Sequence, residues 1–203
     1  MARKSSADME KTKLAILDAG LRLLQERGYH AVGIQEIAQE AGIPKGSFYN
    51  YFPSKEEFGA AVIRYYAEGS LEKWQAELAA AEKKLTGEEA LYQVFLELTE
   101  KYRCAEVKKG CLLGTLAAEI SEASEDCRLA LQEAIASFLK VLAAYLKKGQ
   151  KLGRVRQDLD ADRLAGLVWD SWQGSLLRMK VEKSVEPIRS DLQVLFQTLL
   201  QQK

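Results

Sequence analysis

The chain has 203 residues, 47% of them apolar, and its 29 basic and 29 acidic side chains give a net charge of zero. That length allows one domain or two small ones, and the charge balance excludes a polycation that holds nucleic acid by its overall field. Residues 1–56 carry 8 basic and 7 acidic side chains, so any contact with an anionic polymer must come from a few placed residues.

The chain opens on Arg3 and Lys4, a short arm that either reaches phosphate or frays as a solvated terminus. A first helix is expected over residues 8–27, where Leu14, Leu17, Leu21 and Leu24 recur at three- and four-residue steps. Gly28 ends it as a left-handed cap. A second, short helix over 35–41 packs Ile34, Ile37 and Ala38, and Gly42 turns the chain. Pro44 opens a third helix over 45–51. Ser54, with Glu57 three residues on, starts a fourth by a capping box. That helix aligns Phe58, Val62, Tyr65, Trp74, Leu78, Ala81 and Leu85 on one face, with Gly59 and Gly69 as places to bend.

Longer helices follow. A fifth over 88–103 turns Leu91, Val94, Phe95, Leu98 and Tyr102 inward. A sixth follows Gly110, and a seventh starts near Ser124 with Leu131, Ile135, Phe138, Leu142 and Tyr145 on its apolar side. Gly149 and Gly153 mark a loop. An eighth helix begins near Asp160 and a ninth after Glu186-Pro187, with Ile188, Leu192, Leu195, Phe196 and Leu199 on a broad apolar face. The expected fold is all-α: three short helices in a first domain at residues 1–56, then longer helices in a second domain at 57–203, about nine helices in all.

No apolar run approaches the roughly 18 residues a membrane span needs, and MARKSSADMEK lacks the core of a secretion signal. A cytoplasmic protein without membrane contact is expected. The cysteines are three, Cys104, Cys111 and Cys127, and the one histidine is His30. Neither a disulfide framework nor a metal site is expected from them. No paired carboxylates, nucleophile-base spacing or phosphate loop points to an enzyme, and no cofactor is implied.

The segment from Ile34 to Lys55, IQEIAQEAGIPKGSFYNYFPSK, carries the functional signal. A short helix, a glycine turn and a proline-started helix make a helix-turn-helix whose last helix fits a DNA major groove. Phe48, Tyr51 and Phe52 lie at i, i+3 and i+4 and face inward on Leu17, Leu21 and Ile37. The opposite face presents Lys45, Gly46, Ser47, Tyr49 and Asn50. Gly46 and Ser47 let the backbone approach the groove, Lys45 donates to guanine edges or phosphate, and Tyr49 and Asn50 suit phosphate or sugar. Lys55 is placed to pin the flanking backbone. Residue by residue, each of these also suits a plain solvated surface.

In the form EIAQEAGIPKGSFYNYFPSKEEF, this stretch resembles the DNA-binding domain of TetR-type transcriptional repressors. The resemblance implies a homodimer that binds a palindromic double-stranded DNA operator and lets go when a small molecule enters the C-terminal domain. By position, Gln35, Lys45, Gly46, Ser47, Tyr49, Asn50, Tyr51 and Lys55 inherit DNA contacts. Gly33 stands where the family often has a capping Thr, and Asn50 where His is common. Both departures bear on affinity or operator sequence.

A second, shorter resemblance runs over Gly110 to Ile120. The form GCLLG-x-LAAE is similar to a branch of the family that responds to reactive, electrophilic small molecules. It places Cys111 in the first turn of the sixth helix, where a helix N-terminus favours a thiolate, with Lys108 and Lys109 beside it. Cys111 serves equally as a small buried hydrophobe. A reversible pocket is the broader expectation, with Tyr92, Phe95, Trp169, Trp172 and Met179 as candidate lining, though the same residues also make a core. Lys180 neighbours that pocket or simply meets its own helix's C-terminal dipole. Helices eight and nine of two subunits are expected to form the dimer seam, with Gly174 allowing close approach.

Overall fold

The computed structural model describes residues 6–104 and 110–202. The expected roles of Arg3, Lys4, Lys108 and Lys109 fall outside those residues. Among the described residues the chain forms nine α-helices: α1 Ser6–Arg27, α2 Ile34–Glu40, α3 Lys45–Phe48, α4 Lys55–Ala81, α5 Glu88–Cys104, α6 Leu112–Ile120, α7 Glu125–Lys151, α8 Ala161–Glu182 and α9 Glu186–Val194. A π-helical turn, Leu195–Leu199, ends the series. The all-α fold is as expected.

Two compact units divide the chain. The first runs through Glu68 and also takes in Leu112–Ala134; the second gathers the described residues of Gly69–Cys111 and Ile135–Lys203. Helices α4 and α7 each begin in the first unit and end in the second.

In the first unit, α1 buries Ile16, Leu17, Ala19, Gly20 and Leu24. Leu14 does not join this stripe; it is exposed and Leu21 half-buried. The expectation followed leucines alone, whereas the buried face is set by the smaller Ala19 and Gly20, which let neighbours approach. The Phe58 ring lies where a side chain on Gly20 would stand. Phe58 meets Phe48 and Phe52 at ring-centroid distances of 5.3 and 5.2 Å, and all three rings are buried. Burying an aromatic side chain is worth a few kcal/mol, so this trio is a large share of a small core.

Local chemistry explains the breaks. Gly28 has φ +78° and Gly42 φ +68°, left-handed values that glycine adopts without strain. After Gly42 the Ile43 N–H donates to the Ala38 carbonyl at 2.9 Å, which closes α2. Helix α3 is shorter than expected, ending at Phe48, with Tyr49 to Tyr51 following as a turn. There Asn50 and Tyr51 N–H groups bond three residues back, to Ser47 and Phe48, the tighter winding common at helix ends. The Ser54 hydroxyl accepts from Glu57 N–H at 3.0 Å at the start of α4. Gly59 does not interrupt α4; a side chain there would stand 2.9 Å from the Tyr29 ring and 3.0 Å from Cys127 Sγ.

In the second unit, Trp74, Leu78, Leu91, Phe95, Phe138 and Leu142 are buried with Val168, Trp172, Leu176 and Met179 of α8. Asp160 caps α8, accepting from Arg163 N–H at 2.7 Å. Gly149 is not a loop residue but lies in the last turns of α7, where its bare Cα makes room for the Glu88 carboxylate and Val155. The turn after α7 falls at Gly153, φ +69°. Beyond it, the Arg156 N–H donates to Leu200 O at 2.8 Å and Gln202 N–H to Arg154 O at 2.9 Å. One antiparallel bridge, Val155 with Gln201, lies between these bonds.

Helix α7 corrects the membrane expectation in one respect: by length and composition it is apolar enough to cross a bilayer. Its buried residues, among them Cys127, Ala130, Leu131, Ala134 and Phe138, recur at helical steps on one side, the pattern of a packing helix.

Candidate functional site

Helix α2 starts after Gly33, which is extended and offers no side-chain cap, so its first turn lacks the usual side-chain partner. Helix α3 starts after Pro44, fixed at φ −60°. Gln35, Lys45, Gly46, Tyr49 and Asn50 are exposed, and Ser47, Tyr51 and Lys55 half-buried. Phe48 alone of this helix is fully buried, so the rest of its surface turns to solvent. Tyr49 is 47% exposed and rests its ring edge-on against Phe48 at 5.7 Å. Tyr51 sits between the two expectations, less sunken than Phe48 and Phe52.

The acidic residues of α2 are engaged elsewhere. Glu40 pairs with Arg22 at 3.0 Å and Glu36 with Arg27, both arginines on α1. No described acidic side chain pairs with Lys45. A chain of zero net charge thereby keeps a cation available on α3.

Lys55, expected to pin the flanking DNA backbone, is itself held by the protein. Its ammonium donates to the Tyr29 carbonyl at 2.8 Å and lies 4.3 Å from the centre of the Tyr29 ring. Burial lowers its pKa, with Glu56 acting in the opposite sense. Tyr29 is in turn buried, and its N–H donates to Glu119 Oε2 at 2.6 Å. Burial raises the Tyr29 phenol, and Cys127 and Glu56 add to that. Cys127 is buried, donates weakly to Glu56 O, and its thiol is pushed up chiefly by burial, with Asp126 adding.

The aromatic members of the expected sensing set are joined by one run of ring contacts. Phe95 contacts Trp172 at 4.8 Å and Trp74 at 5.5 Å, and Trp74 meets Phe138, which stacks on Trp169 at 5.4 Å. Tyr102 closes on Trp172 at 6.2 Å. Tyr92 joins them through Phe196, on which it stacks at 5.1 Å and which lies 6.1 Å from the Phe95 ring, and it accepts from Gln197 Nε2. Met179 is fully buried. The sequence reading missed Trp74, Phe138 and Tyr102 as members of this aromatic cluster, because periodicity marks them only as inward-facing. It also missed two buried donors: Trp74 Nε1 and Gln173 Nε2 have no described acceptor. Gln173 is one turn beyond Trp169 on the same face of α8.

Cys111 is half-buried and immediately precedes α6, one residue short of the helix it was expected to enter. Gly110 before it has φ +72°, and a side chain there would meet Lys180 Cε at 2.6 Å. Lys180 therefore lies against Gly110, the residue before Cys111. Tyr102 is also near, its phenol pushed up to about 12 by burial, with Cys111 adding. Cys104 is exposed.

Comparison with known proteins fits this geometry. Residues 16–62 match the family model described as bacterial regulatory proteins, tetR family, and residues 87–195 match the tetracyclin repressor-like C-terminal domain. The HTH-type transcriptional repressor DhaR of Mycobacterium sp. (strain GP1) is 34% identical, over 91% of this chain and 90% of its own. The transcriptional regulator AcuR of Cereibacter sphaeroides is 32% identical, over 92% and 84%. The crystal structure of reduced E. coli NemR superposes with a TM-score of 0.83 at 25% identity, covering 95% of this chain and all of that one. The chain belongs to the TetR family of bacterial DNA-binding transcriptional regulators.

Proposed function

We propose that the chain is a cytoplasmic, homodimeric repressor that grips a palindromic operator and is released by a small-molecule or thiol-reactive effector. In this reading residues 1–56 hold the DNA and residues 57–203 bind the effector and pair the subunits. The observation that carries it is the exposed strip Lys45, Gly46, Tyr49 and Asn50 backed by buried Phe48. Lys45 donates to guanine or phosphate, and Gly46 with Ser47 admits the backbone to the groove. Tyr49, Asn50 and Tyr51 meet phosphate or sugar, Gln35 serves from α2, and Lys55 holds the flanking backbone. Two such helices must reach groove positions about 34 Å apart.

Pairing is supported by an apolar stripe on α8. Leu167, Leu177 and Val181 are exposed, and side chains built at Gly166 or Gly174 meet nothing within 4 Å. Val194 and Leu199 add exposed apolar surface near the end of α9. An open stripe of this kind favours a self-complementary seam.

For the effector, aromatic walls and two unmatched donors, Trp74 Nε1 and Gln173 Nε2, favour a largely apolar molecule bearing a hydrogen-bond acceptor, since a buried donor left unsatisfied is costly. A second reading rests on the half-buried Cys111, whose neighbour Gly110 lies against Lys180. There the sulfur attacks an electrophilic carbon, forming an S–C bond and expelling its leaving group.

The test is selection of bound DNA from a random pool, then affinity of Lys45→Ala and Tyr49→Ala for the selected site. Lys45→Ala is expected to cost about 1–3 kcal/mol where it reads a guanine. Both side chains are exposed, so folding is spared. Wild-type affinity in both variants overturns the assignment.

A further inference from the structure

We infer that Glu119, the last residue of the LAAE motif in α6, is a positioning residue for operator binding: it holds the Tyr29 backbone that in turn holds the Lys55 ammonium. This rests on the reading of Lys55 as a DNA backbone contact.

The geometry is a clasp on one residue, taken by the two peptide groups that flank its Cα. Tyr29 N–H donates to Glu119 Oε2 at 2.6 Å, and Tyr29 O accepts from Lys55 Nζ at 2.8 Å. The residues are 90 and 26 positions from Tyr29 in sequence, so only the fold unites them. Next along, His30 Nε2 lies 3.0 Å from the Glu119 carbonyl, a second tie between the same two segments. Glu119 can enter because Gly28 is bare: a side chain there would stand 2.5 Å from Glu119 Oε1, on a backbone at φ +78°. The Tyr29 ring cannot slide, being buried where Gly59 admits it, with Cys127 Sγ close to the same glycine.

Lys55 is the moving part. An ammonium has three N–H donors, and Tyr29 O takes one. Two are left to reach a phosphate, on a side chain whose position is set by the carbonyl and ring of one residue. Preorganisation of this kind removes the side-chain entropy that a free lysine loses on binding. Without the Glu119 carboxylate the Tyr29 N–H loses its acceptor, and the carbonyl that seats the Lys55 ammonium is held less firmly.

Salt dependence separates this role from general support of the fold, because each neutralised phosphate contributes to the slope of log affinity against log salt. The measurement is affinity for the selected operator across a salt series, for the full-length chain and its variants. Lys55→Ala should bind more weakly, with the slope reduced by about one for the phosphate it no longer neutralises. Glu119→Ala should show the same reduction with Lys55 intact. The double variant should bind no more weakly than Lys55→Ala, since both changes remove one interaction. Glu119→Gln keeps an oxygen for Tyr29 N–H and should restore slope and affinity. A Glu119→Ala chain with the wild-type slope, even one that melts lower, overturns the inference, as do additive effects in the double variant. Wild-type binding by Lys55→Ala removes the phosphate role and this inference with it. Recognition by α3 is judged separately, on Lys45→Ala.

Discussion

The Phe58 ring of α4 fills the notch that Gly20 leaves on α1. Any side chain at position 20 must displace a ring that also contacts Phe48 of α3 and Phe52. Gly20→Ala therefore overpacks the core beneath the recognition helix and is expected to destabilise the chain by about 1–3 kcal/mol. Urea denaturation measures this, and operator affinity should fall in the same variant. An unchanged denaturation midpoint would mean that α1 and α4 separate more freely than this packing allows.

Leu177 is 62% and Val181 82% exposed on one face of α8. Changing both to Glu places like charges opposite each other across a two-fold seam, which is destabilising to pairing. Sedimentation equilibrium should show subunits separating at concentrations where the wild type is paired, with helical circular dichroism retained. A double variant that stays dimeric moves the seam elsewhere.

Acceptor recognition is tested by a matched pair of ligands, acetophenone and ethylbenzene, which differ in one carbonyl oxygen. Tryptophan fluorescence should report tighter binding of acetophenone by about 2- to 10-fold, the worth of one net hydrogen bond. Trp74→Phe, which keeps an aromatic ring, should abolish the preference. Equal binding of the two by the wild type removes the acceptor site while leaving operator recognition untouched.

Glu88 is a buried carboxyl whose Oε2 has no described partner. Burial raises its pKa above the ordinary 4.5, against the lowering influence of its own backbone hydrogen bond and of Arg154, while Glu89 adds to the rise. The folded chain thus favours the protonated form more than the unfolded chain does. Its contribution is fully present below pH 4.5 and is lost as pH rises through the elevated value. Glu88→Gln should therefore melt higher than wild type near neutral pH, and the two should converge in acid. A gap that widens in acid contradicts the assignment.

The thiol reading is checked with iodoacetamide, which alkylates a sulfur and releases iodide. Wild-type chain should lose operator affinity on treatment, and Cys111→Ser should keep it. Cys104 is exposed and is expected to be alkylated without effect on DNA binding, so Cys104→Ser should respond like wild type. A Cys111→Ser chain that still releases DNA after alkylation returns the effector role to the reversible pocket.

Much of the DNA-binding head is legible in the sequence because its determinants are local. Gly42, Pro44 and the Ser54–Glu57 pair act within a few residues, and each ends or starts a helix as its chemistry requires. The packing partners are not legible in the same way. Leu14 obeys the helical period and still faces solvent, since a period says which residues share a face and not where that face stops being covered. Helix position groups Tyr92 with Phe95, but not with Phe196, the ring about a hundred residues away that both of them meet. Glu119 stands in the sequence as the end of the LAAE motif, but nothing there says what it binds. Its meaning comes from a bare Gly28 that makes room for it, and that match appears only when α6 and the end of α1 are folded together.

The short backbone ladder between the turn after α7 and the final residues has a practical reading. Arg154, Arg156, Leu200 and Gln202 exchange main-chain bonds there, so the tail is woven into the body of its unit. Arg156→Pro removes the N–H that bonds Leu200 O and is expected to loosen both segments together. Labels intended to be silent belong on an exposed side chain away from that knot.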